Sequence, residues 1–296
     1  MRILVTGANG QLGYDVCKVL SKRGIAYLGV DIKDFDITDV VATKNFIKGY
    51  LPDAVIHCSA YTAVDKAEEE PEICYKVNVE GTKNIAQVCQ DINAKMMYIS
   101  TDYVFPGTGD QPYEVNDQTG PLSVYGKTKL QGELAVKELL QKYFIVRISW
   151  VFGENGNNFV KTMLRLGKER NEIIVVADQV GSPTYTTDLA PLLCDMIKTE
   201  KFGTYHATNE GYCSWAEFAE EILRVAGYTT KVKHIATEEY PTKAVRPKNS
   251  RMSKNSLDEN RFIRLKCWRE CIREVIECLT QTNPKNSCEK DGDHSV

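Results

Sequence analysis

Residues 3–13 read Ile3-Leu4-Val5-Thr6-Gly7-Ala8-Asn9-Gly10-Gln11-Leu12-Gly13, an apolar run that opens into three glycines spaced three apart. Leu12, Val16, Val19 and Leu20 then fall at i, i+4, i+7 and i+8, one face of a helix. A buried strand therefore passes through a glycine loop directly into a helix. That context carries more weight than the glycines themselves, of which the chain has 20. Where a strand ends at a helix N-terminus, backbone N–H groups and the helix dipole face a pyrophosphate, and missing side chains let it approach. The spacing is Gly-x-x-Gly-x-x-Gly rather than the Gly-x-Gly-x-x-Gly fingerprint. Asp31 ends the next apolar run, 18 residues after Gly13, where a carboxylate can accept from ribose hydroxyls. The competing account is a tight strand-to-helix turn with no ligand.

Outward from this loop the alternation continues. Arg2–Thr6, Tyr27–Val30, Ala54–His57, Met96–Ser100 and Phe144–Ser149 read as buried strands, with helical stripes such as Ile73, Val77, Ile85 and Val88 between them. Strands alternating with helices imply βαβ crossovers and an α/β fold, a Rossmann-type doubly wound parallel sheet. The pattern loosens after about residue 150: a helix is expected over 158–170, a short strand over 173–176, and helices over 187–199 and 270–279. Ser214-Trp215-Ala216-Glu217 reads as a capping box before the apolar face of Phe218, Ile222, Leu223 and Val225. The expected organisation is a nucleotide-binding domain over 1–151, joined by about 181–205. A smaller mixed α/β substrate-binding domain takes 152–180 and 206–282, and a disordered tail 283–296.

Composition sets the class. With 296 residues, 43% hydrophobic and 26% charged, the chain can bury a large core. No stretch approaches 18 uncharged apolar residues, so no membrane span is expected. Met1-Arg2 leads straight into the first strand, so a leader peptide is not expected either, and a cytoplasmic location follows. A net charge of −3 gives no footprint for nucleic acid. The ten cysteines form no Cys-x-x-Cys pair and sit mostly within apolar segments, as reduced core thiols do. Cys267 and Cys271 lie one helical turn apart, but no histidine near them completes a metal site.

Two places match Tyr-x-x-x-Lys, Tyr14/Lys18 and Tyr125/Lys129. Spacing of four puts both side chains on one helical face, where a lysine can lower a tyrosine's pKa from about 10. A phenol tuned in this way can pass a proton to a sugar or alcohol oxygen. Tyr14/Lys18 lies in the helix that should receive the pyrophosphate, which makes it a surface or packing pair. Tyr125/Lys129 begins a helix after the strand that ends Ser100-Thr101-Asp102-Tyr103, and Thr101 adds a hydroxyl at the sheet edge where ligands bind. The second pair is the catalytic candidate.

These residues together resemble the extended short-chain dehydrogenase/reductase family, which works largely on nucleotide sugars. The segments AYTAVDKAEEEP (60–71), STDYVFPGTGDQPYEVND (100–117), PLSVYGKTKLQGE (121–133), NNFVKTML (157–164) and RPKNSRM (246–252) are similar to its dTDP-4-dehydrorhamnose reductase branch, over residues 1 to about 280. The resemblance implies an NAD(P)H-dependent reduction of dTDP-4-dehydro-β-L-rhamnose to dTDP-β-L-rhamnose. It implies that Gly7, Gly10, Gln11, Leu12 and Gly13 form the pyrophosphate loop, that Asp31 holds the ribose, and that Asp36 and Ile37 flank the adenine. Ala60, Tyr61 and Thr62 would line the cofactor. Tyr125, Lys129 and Thr101 would carry the chemistry, with Thr101, Asp102 and Trp150 facing the sugar, and Arg246 and Arg251 the diphosphate. The glutamate that dehydratases of this family carry after Thr-Asp is Tyr103 here, which disfavours dehydration. An epimerase and a non-catalytic regulatory subunit on the same fold stay open as alternatives. So do homodimer formation and a Mg2+ site, for which Asp15 is suited but Thr187 stands where a carboxylate is expected. Asp31, with no arginine between it and Asp36, leads us to expect NADH to serve at least as well as NADPH.

Overall fold

The computed structural model describes residues 1–281. The proposed disordered tail, with Cys288 and His294, lies outside the described residues. The chain starts with β1 (Ile3–Thr6), α1 (Gln11–Lys22), β2 (Tyr27–Val30), α2 (Val40–Tyr50) and β3 (Ala54–His57). Two short helices, α3 (Val64–Ala67) and α4 (Pro71–Tyr75), lead through a π-helical stretch into α5 (Thr82–Asp91) and β4 (Lys95–Thr101). Next come α6 (Val124–Leu139) and β5 (Tyr143–Ile148). The C-terminal part contains β6 (Val151–Phe152), α7 (Phe159–Glu169), β7 (Glu172–Val176), β8 (Val180–Gly181), β9 (Thr184–Tyr185), α8 (Thr186–Met196) and β10 (Gly203–His206). It continues with β11 (Cys213–Ser214), α9 (Trp215–Val225), β12 (Lys231–Ile235), β13 (Asn249–Ser250), α10 (Asn255–Glu259) and α11 (Trp268–Gln281).

Six strands form one sheet in the order β10-β5-β4-β3-β1-β2, every pair parallel. Alternation along β1 explains its two covered faces. Ile3 and Val5 pack with Leu12, Val16 and Leu20 of α1 and Leu189 and Leu193 of α8. Leu4 faces the other way, toward Ile47 of α2, Ile85 of α5 and Val136 of α6. The chain leaves β1 toward β2 on one side and returns to β3 on the other. This reversal opens a crevice at the strands' C-terminal ends, the site such folds use for ligands.

Short strands dominate the rest. β7 pairs with β12, β6 with β9, and β8 lies between β11 and β13. A second apolar core fills this part, built on Phe152, Phe218, Ile222, Trp268 and Val275. The capping box that opens α9 forms as expected: Glu217 N donates to Ser214 Oγ at 3.1 Å, and Ser214 N donates to Glu217 Oε2 at 2.7 Å.

Candidate active site

A cleft of about 700 Å³ runs along the C-terminal ends of β1, β3, β4 and β5. Gly7, Gly10, Gln11 and Leu12 line one end of it. Gly7 takes a left-handed φ of 66°, and a Cβ there would sit 2.8 Å from Ser59 N. Gly13 does not line the cleft; a Cβ on it would overlap the Gly7 carbonyl, so its absence lets α1 pack on the loop. Gly10 caps α1 with no side-chain hydrogen bond, which leaves the first-turn N–H groups of a 12-residue helix facing the cleft. Asn155 Nδ2 donates to the Asn9 and Gly10 carbonyls at 2.9 and 3.2 Å, tying up acceptors that would oppose an anion. These features fit a pyrophosphate cradle.

Asp31 lies at the rim of the same end. Its Oδ2 accepts from Asn9 N at 3.1 Å and its Oδ1 from Ile32 N at 2.8 Å. Asp36, Ile37, Ala60 and Thr62 line the cleft as expected, and Phe35, Ser59 and Val77 join them. Tyr61 turns away: its N–H donates to Asn78 Oδ1 and its hydroxyl to Glu70 Oε2, both at 2.8 Å.

Thr101 is the last residue of β4, and Tyr125 the second of α6. Ser123 caps α6, accepting from Gly126 N at 3.1 Å. A Cβ on Gly126 would overlap the Tyr103 carbonyl, so this glycine lets the helix start press against the strand end. The Tyr103 and Tyr125 rings meet edge to face at 5.5 Å. Burial pushes the Tyr125 phenol well above its ordinary pKa, opposed by the neighbouring Thr101 hydroxyl. Lys129 Nζ donates to Ile99 O at 2.6 Å and lies 4.1 Å above the Tyr98 ring, and burial lowers its pKa to about 7. Tyr125, Lys129 and Thr101 nevertheless line one cleft with the glycine loop.

Asp102 also lines the cleft, but protein hydroxyls engage both its oxygens: Thr101 Oγ1 donates to Oδ1 at 2.9 Å, and Ser250 Oγ to Oδ2. Trp150, at a left-handed φ of 49°, lines the far end and stacks on Trp215 with ring centroids 3.7 Å apart. Arg246 and Arg251 lie outside this lining. Arg246 pairs with Asp65 at 2.5 Å and donates to Tyr103 Oη at 3.2 Å, while Arg251 Nη1 donates to Asn249 Oδ1 at 3.0 Å.

Trp215 and Ser250 were missed by sequence reasoning, as was a buried ion pair under the site. Glu133, one turn beyond Lys129, accepts from Arg147 Nε at 2.8 Å and Nη2 at 2.7 Å, and Ser100 Oγ donates to it at 2.6 Å. A Glu at i+4 from the lysine was a visible signal; its arginine on β5 was not. At Asp15 the neighbours are the Thr186 and Thr187 hydroxyls, which donate to Oδ2 at 2.5 and 3.1 Å. Hydroxyls that donate to the carboxylate do not supply a Mg2+ donor set. Among the described residues, no three His, Cys, Asp or Glu side chains gather as metal ligands.

A doubly wound sheet with a glycine loop at its switch point, and Thr, Tyr and Lys at the next strand ends, is the arrangement expected from the resemblance to extended short-chain dehydrogenase/reductases. Comparison with known proteins narrows this class. The RmlD substrate binding domain family model matches residues 1–281, and the chain belongs to that family. A dTDP-4-dehydrorhamnose reductase from Clostridium acetobutylicum is 45% identical, with a TM-score of 0.93, covering 95% of this chain and 100% of that one. The Bacillus anthracis dTDP-4-dehydrorhamnose reductase, solved in complex with NADP, is 44% identical with a TM-score of 0.91, covering 93% and 98%. The spore coat polysaccharide biosynthesis protein SpsK of Bacillus subtilis is 40% identical over 93% of this chain and 97% of its own length.

Proposed function

We propose that this protein reduces dTDP-4-dehydro-β-L-rhamnose to dTDP-β-L-rhamnose with a nicotinamide dinucleotide. The observation that carries the proposal is the shared cleft: Tyr125, Lys129 and Thr101 line the same cavity as Gly10, Gln11 and Asp31. The named reductase relatives, matched over nearly their whole length, support the substrate class. A bound, reduced coenzyme supplies the hydride to C4 of the sugar. Tyr125 gives its proton to the oxygen that becomes O4, and Thr101 holds the phenol. Lys129 orients the nicotinamide ribose from its place beside the Ile99 carbonyl. Trp150 and Trp215 wall the sugar end, and Asp102 shapes that wall. Arg246 and Arg251 serve the substrate diphosphate only if Arg246 exchanges Asp65 for phosphate oxygens, a swap suited to a guanidinium fork.

Asp31 suits the paired ribose hydroxyls of NADH, and its carboxylate repels a 2′-phosphate. The NADP complex of the Bacillus anthracis relative keeps NADPH within the proposal. We assign residues 1–151 and about 181–205 to the coenzyme and 152–180 and 206–282 to the sugar nucleotide, and place the enzyme in the cytoplasm. Among the described residues no helix is long and apolar enough to cross a membrane.

The test is reduced-coenzyme oxidation with a panel of dTDP- and UDP-4-keto sugars. One coenzyme consumed per dTDP-rhamnose formed supports the proposal. Product without stoichiometric oxidation indicates an epimerase that recycles its coenzyme, and no turnover of any sugar indicates a regulatory subunit.

A further inference from the structure

Glu133 is a fully buried carboxylate to which the reduction gives no task. A charge inside a protein is costly unless it is both paired and hydrogen-bonded, and here it is both. From β5, Arg147 Nε and Nη2 donate to its two oxygens at 2.8 and 2.7 Å, and from β4 Ser100 Oγ donates to Oε1 at 2.6 Å. One carboxylate on α6 thus joins the helix to two neighbouring strands of the large sheet.

Its contacts fall on the stretch of β4 that leads into the site. Tyr98 Oη donates to Lys129 O at 3.3 Å, Lys129 Nζ to Ile99 O at 2.6 Å, and Ser100 Oγ to Glu133. Three successive residues of the strand are tied to little more than one turn of the helix, and the next residue is Thr101. A Cβ on Gly132 would overlap Tyr98 Oη, so helix and strand have no slack between them. Arg147 also donates to Val115 O at 3.1 Å, which fastens the loop after Thr101 to the same ion pair. Burial lowers the Lys129 ammonium, and the charge of Glu133 is the largest influence opposing it.

We propose that Glu133 is a positioning residue for the reduction. Braced by Arg147, it fixes the seam between α6 and β4, and so sets Tyr125 and Lys129 on the helix against Thr101 on the strand. The inference rests on the reductase assignment above and deepens it. Glu133 lies behind the cleft lining, of which Ser100 is the nearest member it holds. Loosening the seam should therefore slow the chemical step and spare ligand binding, because small misplacements of reacting groups are expensive in rate. A purely structural pair would behave otherwise: stability would fall while each folded site kept its rate.

The experiment compares the wild type with Ser100→Ala and Glu133→Gln, and with Val275→Ala in the second apolar core as a destabilised control. It measures kcat and sugar KM per active site counted by coenzyme titration. It also measures the isotope effect on kcat with reduced coenzyme deuterated at the transferring position. Ser100→Ala removes one hydroxyl and leaves the Glu133–Arg147 pair whole. Its kcat per site should fall about tenfold, with sugar KM within about twofold and an isotope effect no smaller than the wild type's. Glu133→Gln leaves Arg147 without its buried counter-charge and should lose more. Val275→Ala should lose stability and keep the wild-type kcat per site. A Ser100→Ala enzyme with wild-type kcat and isotope effect would overturn the proposal, and it decides the matter if Glu133→Gln does not fold. An equal loss of kcat per site in Val275→Ala would also overturn it, since any loosening of the fold would then suffice. A wild type that oxidises no coenzyme with any 4-keto sugar defeats the reductase assignment, and the positioning role with it. A wild type that turns over while Ser100→Ala matches it defeats the positioning role alone.

Discussion

The chain spells Tyr-x-x-x-Lys twice, in two helices of the same sheet, and the surroundings of the two copies differ in almost every respect. Tyr14 is 45% exposed on α1, and Lys18 reaches Glu154 at 3.5 Å across solvent-facing surface. Tyr125 faces the cleft, and Lys129 is 2% exposed over the Tyr98 ring. Around the second pair stand Asp102, Glu133 with Arg147, and His57, all buried. Spacing of four makes two side chains neighbours on a helix. Chemistry comes from what the helix start is pressed against, here the end of β4, where Gly126 lets backbones touch.

If that contrast is right, the two tyrosines should respond very differently to loss of one oxygen. Tyr125→Phe removes the proton donor and should lower kcat by ~10²–10⁴-fold while leaving coenzyme affinity nearly unchanged. Tyr14→Phe should leave kcat close to wild type. Equal losses in the two variants, from steady-state kinetics, would erase the distinction.

The ion pairs near the two lysines offer a second contrast, read by stability. Arg147 and Glu133 are 2% and 0% exposed, so Arg147→Ala strands a buried carboxylate and should destabilise the fold by about 3–5 kcal/mol in urea titrations. The partially exposed Lys18–Glu154 pair should contribute less than about 1 kcal/mol, measured in the same way with Lys18→Ala.

Acid should also act on the buried side alone. His57 bridges Thr6 Oγ1 at 2.7 Å and Thr82 Oγ1 at 3.2 Å, and His206 lies against Arg147. Burial lowers both imidazoles to about 3. The unfolded chain, with histidines near 6.5, binds more protons between those values, so stability should fall as pH drops from 6.5 toward 3. At pH 5 the loss should be about 2 kcal/mol for each histidine, and His206→Gln should remove its share. Urea midpoints at pH 7 and 5 that do not separate the variant from the wild type would contradict this origin.

A smaller effect is expected at the coenzyme end. Asp31→Ala should raise kcat/KM for NADPH relative to NADH by about tenfold, because the carboxylate facing the ribose is gone while Lys33 stays. An unchanged ratio would remove Asp31 from coenzyme discrimination.

The parts legible from sequence were those specified by neighbours in the chain. The strands Tyr27–Val30 and Ala54–His57 form as read, because each is a short apolar run bounded by breakers, and the Ser214–Glu217 box forms because its four residues suffice. Helix α2 had no usable stripe, since Thr43 and Ile47 are its buried residues. Strand β10 is Gly-Thr-Tyr-His, with little apolar content, and belongs to the sheet through pairing with β5. In the site, the glycine loop, Asp31, Thr101, Tyr125 and Lys129 were visible from spacing and position after strands. Ser250 on Asp102, Arg147 on Glu133 and Trp215 on Trp150 were not. Their partners lie 148, 14 and 65 residues away and meet only once the sheet and the C-terminal part have packed.

The central claim is that this cleft delivers a hydride to the sugar carbon and a proton from Tyr125 to its oxygen. Its most direct test uses reduced coenzyme deuterated at the transferring position of the nicotinamide, with a dTDP-4-keto-6-deoxy sugar as substrate. We predict one deuterium at C4 of the product and one coenzyme oxidised per sugar, with the label transferred by the Tyr14→Phe enzyme and nearly abolished by Tyr125→Phe. Product that carries no deuterium at C4, or a Tyr125→Phe enzyme that transfers it at the wild-type rate, would contradict the account.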